Sequence, residues 1–212
     1  PVFIQSFEQS NLKYLRSKTS VRLVQLMDAD DVAADGTITF AAPFDRPYDW
    51  AVSGRAGTFA DLLTPAGLAE VRTYADGIGP WKPYLISAAC ITVVNGACKA
   101  ANGDGLVNDA DRKLLPPSAV LANAHAQGLL VHPYTFRNES RRLASDFKGV
   151  PANEYLAFYE LGVDGLFTDF ADTAVLARSL WVLKNDPDAA TCLVQGRHGR
   201  NGACKGLRWL NA

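Results

Sequence analysis

The chain has 212 residues, 48% of them hydrophobic and 20% charged, so it can bury a sizeable core and does not have the composition of a disordered polymer. Its 21 Lys and Arg balance 22 Asp and Glu, and the net charge of -1 excludes a broad basic field for nucleic acid or an anionic membrane. No run reaches the roughly 18 to 20 apolar residues of a membrane span, and the opening "PVFIQSF" has no initiator Met, basic n-region or h-region, which points to a processed or truncated chain.

In chain order, "VFIQSF" (Val2 to Phe7) reads as a strand, followed by Ser10 and Asn11 as a helix cap and a helical pattern at Leu12, Tyr14 and Leu15. "VRLVQLM" (Val21 to Met27) is a second strand. After a long polar connection, "TPAGLAEVRTYA" opens a helix with Thr64 as N-cap and Pro65 at the first helical position. "SAVLANAHAQ" (Ser118 to Gln127) is helical with Gly128 as its stop, and "LLVHPYTF" is the next strand. "NEYLAFYELGV" (Asn153 to Val163) is a helix ending near Gly162, and "DGLFTDF" (Asp164 to Phe170) is the strand after it.

Near-continuous apolar strands alternating with helices predict an α/β fold with a parallel sheet covered by helices. No Gly-rich phosphate fingerprint follows a strand, and polar residues cluster after strand ends, which favours a TIM-like (β/α) barrel over an open doubly wound sheet. Chemistry then belongs at the C-terminal rim, where the candidates are Ser6, Phe7 and Glu8; Gln25 and Asp28; Tyr134 and Arg137; and Asp169 and Asp172.

Four cysteines fall in two local pairs, Cys90 with Cys98 and Cys192 with Cys204. An even count in Gly- and Asn-rich loops favours disulfides and an oxidising compartment, although spacing alone leaves the connectivity open. Zinc is the weaker alternative, because no pair has the tight spacing of a zinc knuckle. Between the pairs, "NGDGLVNDAD" (Asn102 to Asp111) resembles the calcium loops of dockerins and EF-hands. Asn102, Asp104, the Leu106 carbonyl, Asn108 and Asp111 stand at loop positions 3, 5, 7, 9 and 12, with Gly105 at 6. Position 1 is Ala100, which weakens the site, and an Asx-rich turn is the competing reading.

The segments "FIQSF", "RLVQLM", "YADGIGP" (Tyr74 to Pro80), "AHAQGLLVHPYTFR" and "GVDGLFTDFAD" (Gly162 to Asp172) resemble, in order, the glycerophosphodiester phosphodiesterases, in particular the secreted bacterial periplasmic type. The resemblance runs from the first residues to about Leu180 and departs from the family at Ala171, where proline is frequent. It implies a barrel of the PLC-like phosphodiesterase type that cleaves glycerophosphodiesters to sn-glycerol 3-phosphate and an alcohol. It also implies a divalent metal, Ca or Mg, and two catalytic histidines. The family's "HRG" opening, "E-x-D" metal pair, "HD" segment and "E-x-K" carboxylate all precede its "QSF" strand and do not occur in this sequence.

The chain therefore resembles the later strands of such an enzyme, over 1–184, followed by a 185–212 tail stapled by Cys192 and Cys204. Its expected partners are a small-molecule glycerophosphodiester and the N-terminal half of the barrel, with the catalytic metal outside this chain and a periplasmic or secreted location. No residue is assigned a catalytic role: His125, His132 and His198 read as structural or solvated. Tyr134 and Phe7 are read as apolar walls for the glycerol moiety, with filling of the barrel mouth and plain core packing as their competing readings, and Arg137 as a phosphate donor or a partner of Glu139 or another rim acid. Asp169 is read as a helix cap. The alternative function is a noncatalytic, calcium-stabilised binding or assembly module on the same scaffold.

Overall fold

A computed structural model describes residues 2–186. In chain order it contains β1 (Phe3–Ser6), α1 (Gln9–Arg16), β2 (Arg22–Met27), the short strands β3 (Asp31–Val32) and β4 (Ile38–Thr39), and helices α2 (Tyr48–Ser53), α3 (Phe59–Leu62) and α4 (Pro65–Arg72). Next come β5 (Gly77–Pro80), the excursion strands β6 (Ala88–Cys90), β7 (Val93–Val94), β8 (Ala97–Cys98) and β9 (Arg112–Leu114), and then α5 (Val120–Ala126) and β10 (Leu130–Val131). Helices α6 (Pro151–Leu161) and α7 (Ala171–Asn185) complete the described chain.

The main sheet is four-stranded and parallel, in the order β1-β2-β5-β10, with Gln5 beside Val24, Gln25 beside Ile78 and Leu130 beside Gly77. Five of the six β2 residues are buried, as both-face burial in a parallel sheet requires. One sheet face sends Leu23, Met27, Ile78 and Val131 into a core shared with Leu12, Leu68, Val71, Leu121, Ala124, Tyr155 and Phe158. On the other face β5 must come close to its neighbours. A Cβ on Gly79 would lie 2.6 Å from Leu26 Cδ2, and one on Gly77 would lie 2.8 Å from the Leu130 carbonyl oxygen.

The parallel sheet matches the α/β expectation and is consistent with a TIM-like fold. Among the described residues it remains an open arc, since the sheet ends at β1 on one side and β10 on the other. The arc continues beyond β10 as isolated parallel bridges, Trp81 with Tyr134 and Phe136 with Thr168.

Several local expectations need correction. Helix α1 starts at Gln9 with Glu8 as N-cap, so Ser10 and Asn11 lie inside it; the Ser10 N–H is taken by Asp49 Oδ2 at 2.6 Å. "DGLFTDF" forms a single bridge instead of a strand, and "LLVHPYTF" pairs as a ladder only at Leu130 and Val131. The "long polar connection" holds α2 and α3 around the buried Trp50, Phe59 and Leu62. By contrast Thr64 caps α4, accepting the Gly67 N–H at 3.0 Å, and Gly128 and Gly162 end their helices at positive φ.

Candidate functional site

Parallel strands end together, so the side chains just beyond them converge. Asp28 follows β2, Trp81 and Lys82 follow β5, and Tyr134 lies beyond β10, and all four line one cavity of about 430 Å³. The 82–114 excursion supplies Ile86, Asp109 and Arg112 to its wall, and the segment before α6 and α6 itself supply Phe147, Glu154 and Phe158.

Tyr134 is anchored from both sides. Its backbone N–H donates to the Pro80 carbonyl, its carbonyl accepts the Lys82 N–H at 2.9 Å, and its hydroxyl donates to the Met27 carbonyl at 2.8 Å. Burial, reinforced by the Asp28 charge, drives the phenol pKa up, so Tyr134 stays protonated and acts as a wall. Burial likewise raises the Asp28 carboxyl above its ordinary value. Phe7 stands edge-on to Tyr134, with centroids 6.2 Å apart, and edge-on to Phe59; it is exposed and is not among the residues that line the cavity. Gln25 Nε2 donates to the Phe7 carbonyl at 2.9 Å, while its Oε1 accepts from the Tyr74 hydroxyl at 3.0 Å. This expected rim residue therefore turns into the helix layer and fixes the exit of β1.

Arg137 also lines the cavity. Its Nε donates to Glu139 Oε2 at 3.2 Å and a terminal nitrogen pairs with Asp169 at 2.9 Å. The Arg137 hydrogen bond holds Glu139 down to about 2. Of its two expected roles, the structure shows the carboxylate pair. Asp169 is a correction: the N-cap of α7 is Phe170, with no side-chain cap, and the Asp169 carboxylate faces Arg137 instead.

Lys82 and Glu154 were not among the residues singled out from sequence. Lys82 Nζ donates to Glu154 Oε1 at 2.6 Å and sits 5.4 Å from the centroid of the Phe136 ring. Glu154 is 3% exposed and its second oxygen has no hydrogen-bond partner. Burial raises its pKa, opposed by the Lys82 charge.

The carboxylates along the cavity do not converge on a cation. Asp31 accepts the Val32 N–H at 2.7 Å, Glu154 holds Lys82, and among the described residues no group of three His, Cys, Asp or Glu could hold a metal ion. The catalytic metal expected from the resemblance does not fit this set. In the Asn102 to Asp111 loop, Asp111 accepts the N–H groups of Ala101, Asn102 and Asn108, and Asp104 accepts that of Leu106 at 2.7 Å. The side-chain amides of Asn102 and Asn108 point to Asp104, at 3.0 and 3.4 Å. Cys90 and Cys98 are disulfide-bonded at the base of this excursion; Cys192 and Cys204 lie outside the described residues.

His125 pairs with Asp164 at 2.9 Å, and His132 packs against Phe3 and Phe167, so neither lines the cavity.

Fold and site together define an α/β protein with a cavity at the C-terminal ends of a parallel sheet. The chain belongs to the glycerophosphoryl diester phosphodiesterase family, whose model matches residues 1–173. A glycerophosphodiester phosphodiesterase of Arabidopsis thaliana is 31% identical over 171 residues, which is 80% of this chain and 36% of that protein. One of Haemophilus influenzae is 26% identical over 183 residues, 82% of this chain and 41% of that protein. The chain thus spans well under half the length of these relatives.

Proposed function

We propose that this chain forms the substrate-holding part of an enzyme that hydrolyses glycerophosphodiesters to sn-glycerol 3-phosphate and an alcohol. The observation that carries it is one shared cavity into which three strand exits deliver Asp28, Trp81, Lys82 and Tyr134 in a member of this family.

Hydrolysis adds water to phosphorus, breaks the bond to the alcohol oxygen and builds negative charge on the phosphate oxygens. The catalytic histidines and the carboxylates for a divalent metal, Ca or Mg, come from residues outside this chain, the N-terminal half of the barrel. Tyr134 packs on the glycerol moiety, with Phe7 edge-on to it as its support, and the excursion over 82–114 shields the site from water. Arg137 clamps the rim through Glu139 and Asp169 instead of binding phosphate. The Cys90–Cys98 disulfide supports an oxidising location, periplasmic or secreted.

The test is hydrolysis of glycerophosphocholine. The 212-residue chain alone is expected to be inactive; joined to its N-terminal half it turns over and loses activity in a chelator. In that joined enzyme Phe7→Ala raises KM about three- to tenfold, the loss of one aromatic contact. Robust turnover by the 212-residue chain alone would overturn the division of labour.

A further inference from the structure

We propose that Lys82 binds the phosphate of the diester in the cavity, and that Glu154 is the positioning residue that holds its ammonium there. This rests on the cavity being the substrate site, as proposed above.

Lys82 follows Trp81 directly after β5, and its backbone N–H is tied to the Tyr134 carbonyl at 2.9 Å, so its stem begins between two strand exits. Its side chain is 18% exposed, and its ammonium has three donors and spends one on Glu154, 2.6 Å away. Two donors remain on a cation that lines a cavity. Four cations line that cavity, and the others are committed or in water. Arg112 donates to the carbonyls of Val32, Ala33 and Ala88, Arg137 is held by Glu139 and Asp169, and Arg142 is exposed.

Stability alone gives no reason for this pair. A buried ion pair recovers its desolvation only when all its polar atoms are satisfied, and apolar replacements are often as stable. Here Glu154 Oε2 has no partner and Lys82 is left with unspent donors. The arrangement suits a ligand that completes it: an anion takes the free ammonium donors, as a compact lysine charge commonly does for phosphate. Glu154 keeps the flexible four-carbon stem in one rotamer, and the Phe136 ring lies beneath the charge.

The experiment uses the enzyme joined to its N-terminal half, with glycerophosphocholine as substrate. Lys82→Met is expected to raise KM about ten- to a hundredfold, the loss of a charged hydrogen bond, with a smaller fall in kcat. Lys82→Arg recovers part of that loss. Glu154→Gln gives a smaller rise in KM, and in the Lys82→Met background it adds nothing, because it acts only through the lysine.

Lys82→Met leaves Glu154 buried and unpaired, so a folding defect is guarded against with Lys82→Met/Glu154→Leu, which removes both charges and keeps the KM defect. A folded double variant with wild-type KM overturns the assignment of Lys82. Calorimetry of the 212-residue chain with glycerol 3-phosphate, and with neutral glycerol as control, separates the two levels of the claim. Binding of the phosphate that Lys82→Met abolishes supports the lysine even if no diester is turned over. Binding unaffected by Lys82→Met removes the lysine and leaves the substrate site standing.

Discussion

His132 sits with its ring 5.0 Å from Phe3 and 6.2 Å from Phe167, and a Cβ on Gly165 would come within 2.9 Å of it. Burial pulls its pKa below the ordinary histidine value. The unfolded chain therefore binds the proton more readily, and His132 contributes stability that is present above about pH 6.5 and is lost as pH falls towards the folded value. Urea midpoints at pH 7 and pH 5 should differ less in His132→Phe than in the parent; equal differences in both would contradict this. At this scale the packing of His132 and the rim position of Tyr134 were legible, because an aromatic directly beyond an apolar run announces itself; His198 lies outside the described residues. Lys82 and Glu154 were not legible. They are 72 residues apart, and a Glu in the first turn of an amphipathic helix reads as a solvated charge until the fold closes over it.

Among the elements, α4 shows local and tertiary rules opposing each other. Its start was legible from Thr64 and Pro65, whose chemistry is contained in a few residues. Gly67 was not: helix propensity alone favours Ala there by about 1 kcal/mol. A Cβ at Gly67, however, would lie 2.0 Å from the Asp61 carbonyl oxygen and 2.7 Å from Leu62 Cα, both backbone atoms that cannot swing aside. Gly67→Ala is expected to lower stability by about 1 to 3 kcal/mol, measured by chemical denaturation; any gain would show that α3 can retreat. The missing strand at "DGLFTDF" has the converse cause. A strand exists only where a neighbour accepts its hydrogen bonds, and here a single bridge, Phe136 with Thr168, forms.

Over the whole molecule, the sheet edge is the telling feature. β1 has β2 on one side and no described strand on the other, and Phe3 and Ser6 are only half-buried. An unpaired parallel edge templates association. The 212-residue chain should therefore gain mass with concentration in light scattering, and the gain should shrink in Gln5→Pro, which places a proline on the open edge. A mass independent of concentration would show the edge to be harmless.

By itself the sequence determined the alternation of strands and helices, the N-cap of α4, the glycine stops of α5 and α6, the membership of a phosphodiesterase family and the place of Tyr134 just beyond a strand. Each of these follows from residues adjacent in the chain or one turn apart. Tertiary structure alone decided that Arg137 faces two carboxylates, that Gln25 turns into the helix layer and that Lys82 meets Glu154 at a cavity wall. Those pairings depend on which segments lie side by side, and the charge or amide on one side chain carries no mark of the partner that will desolvate it.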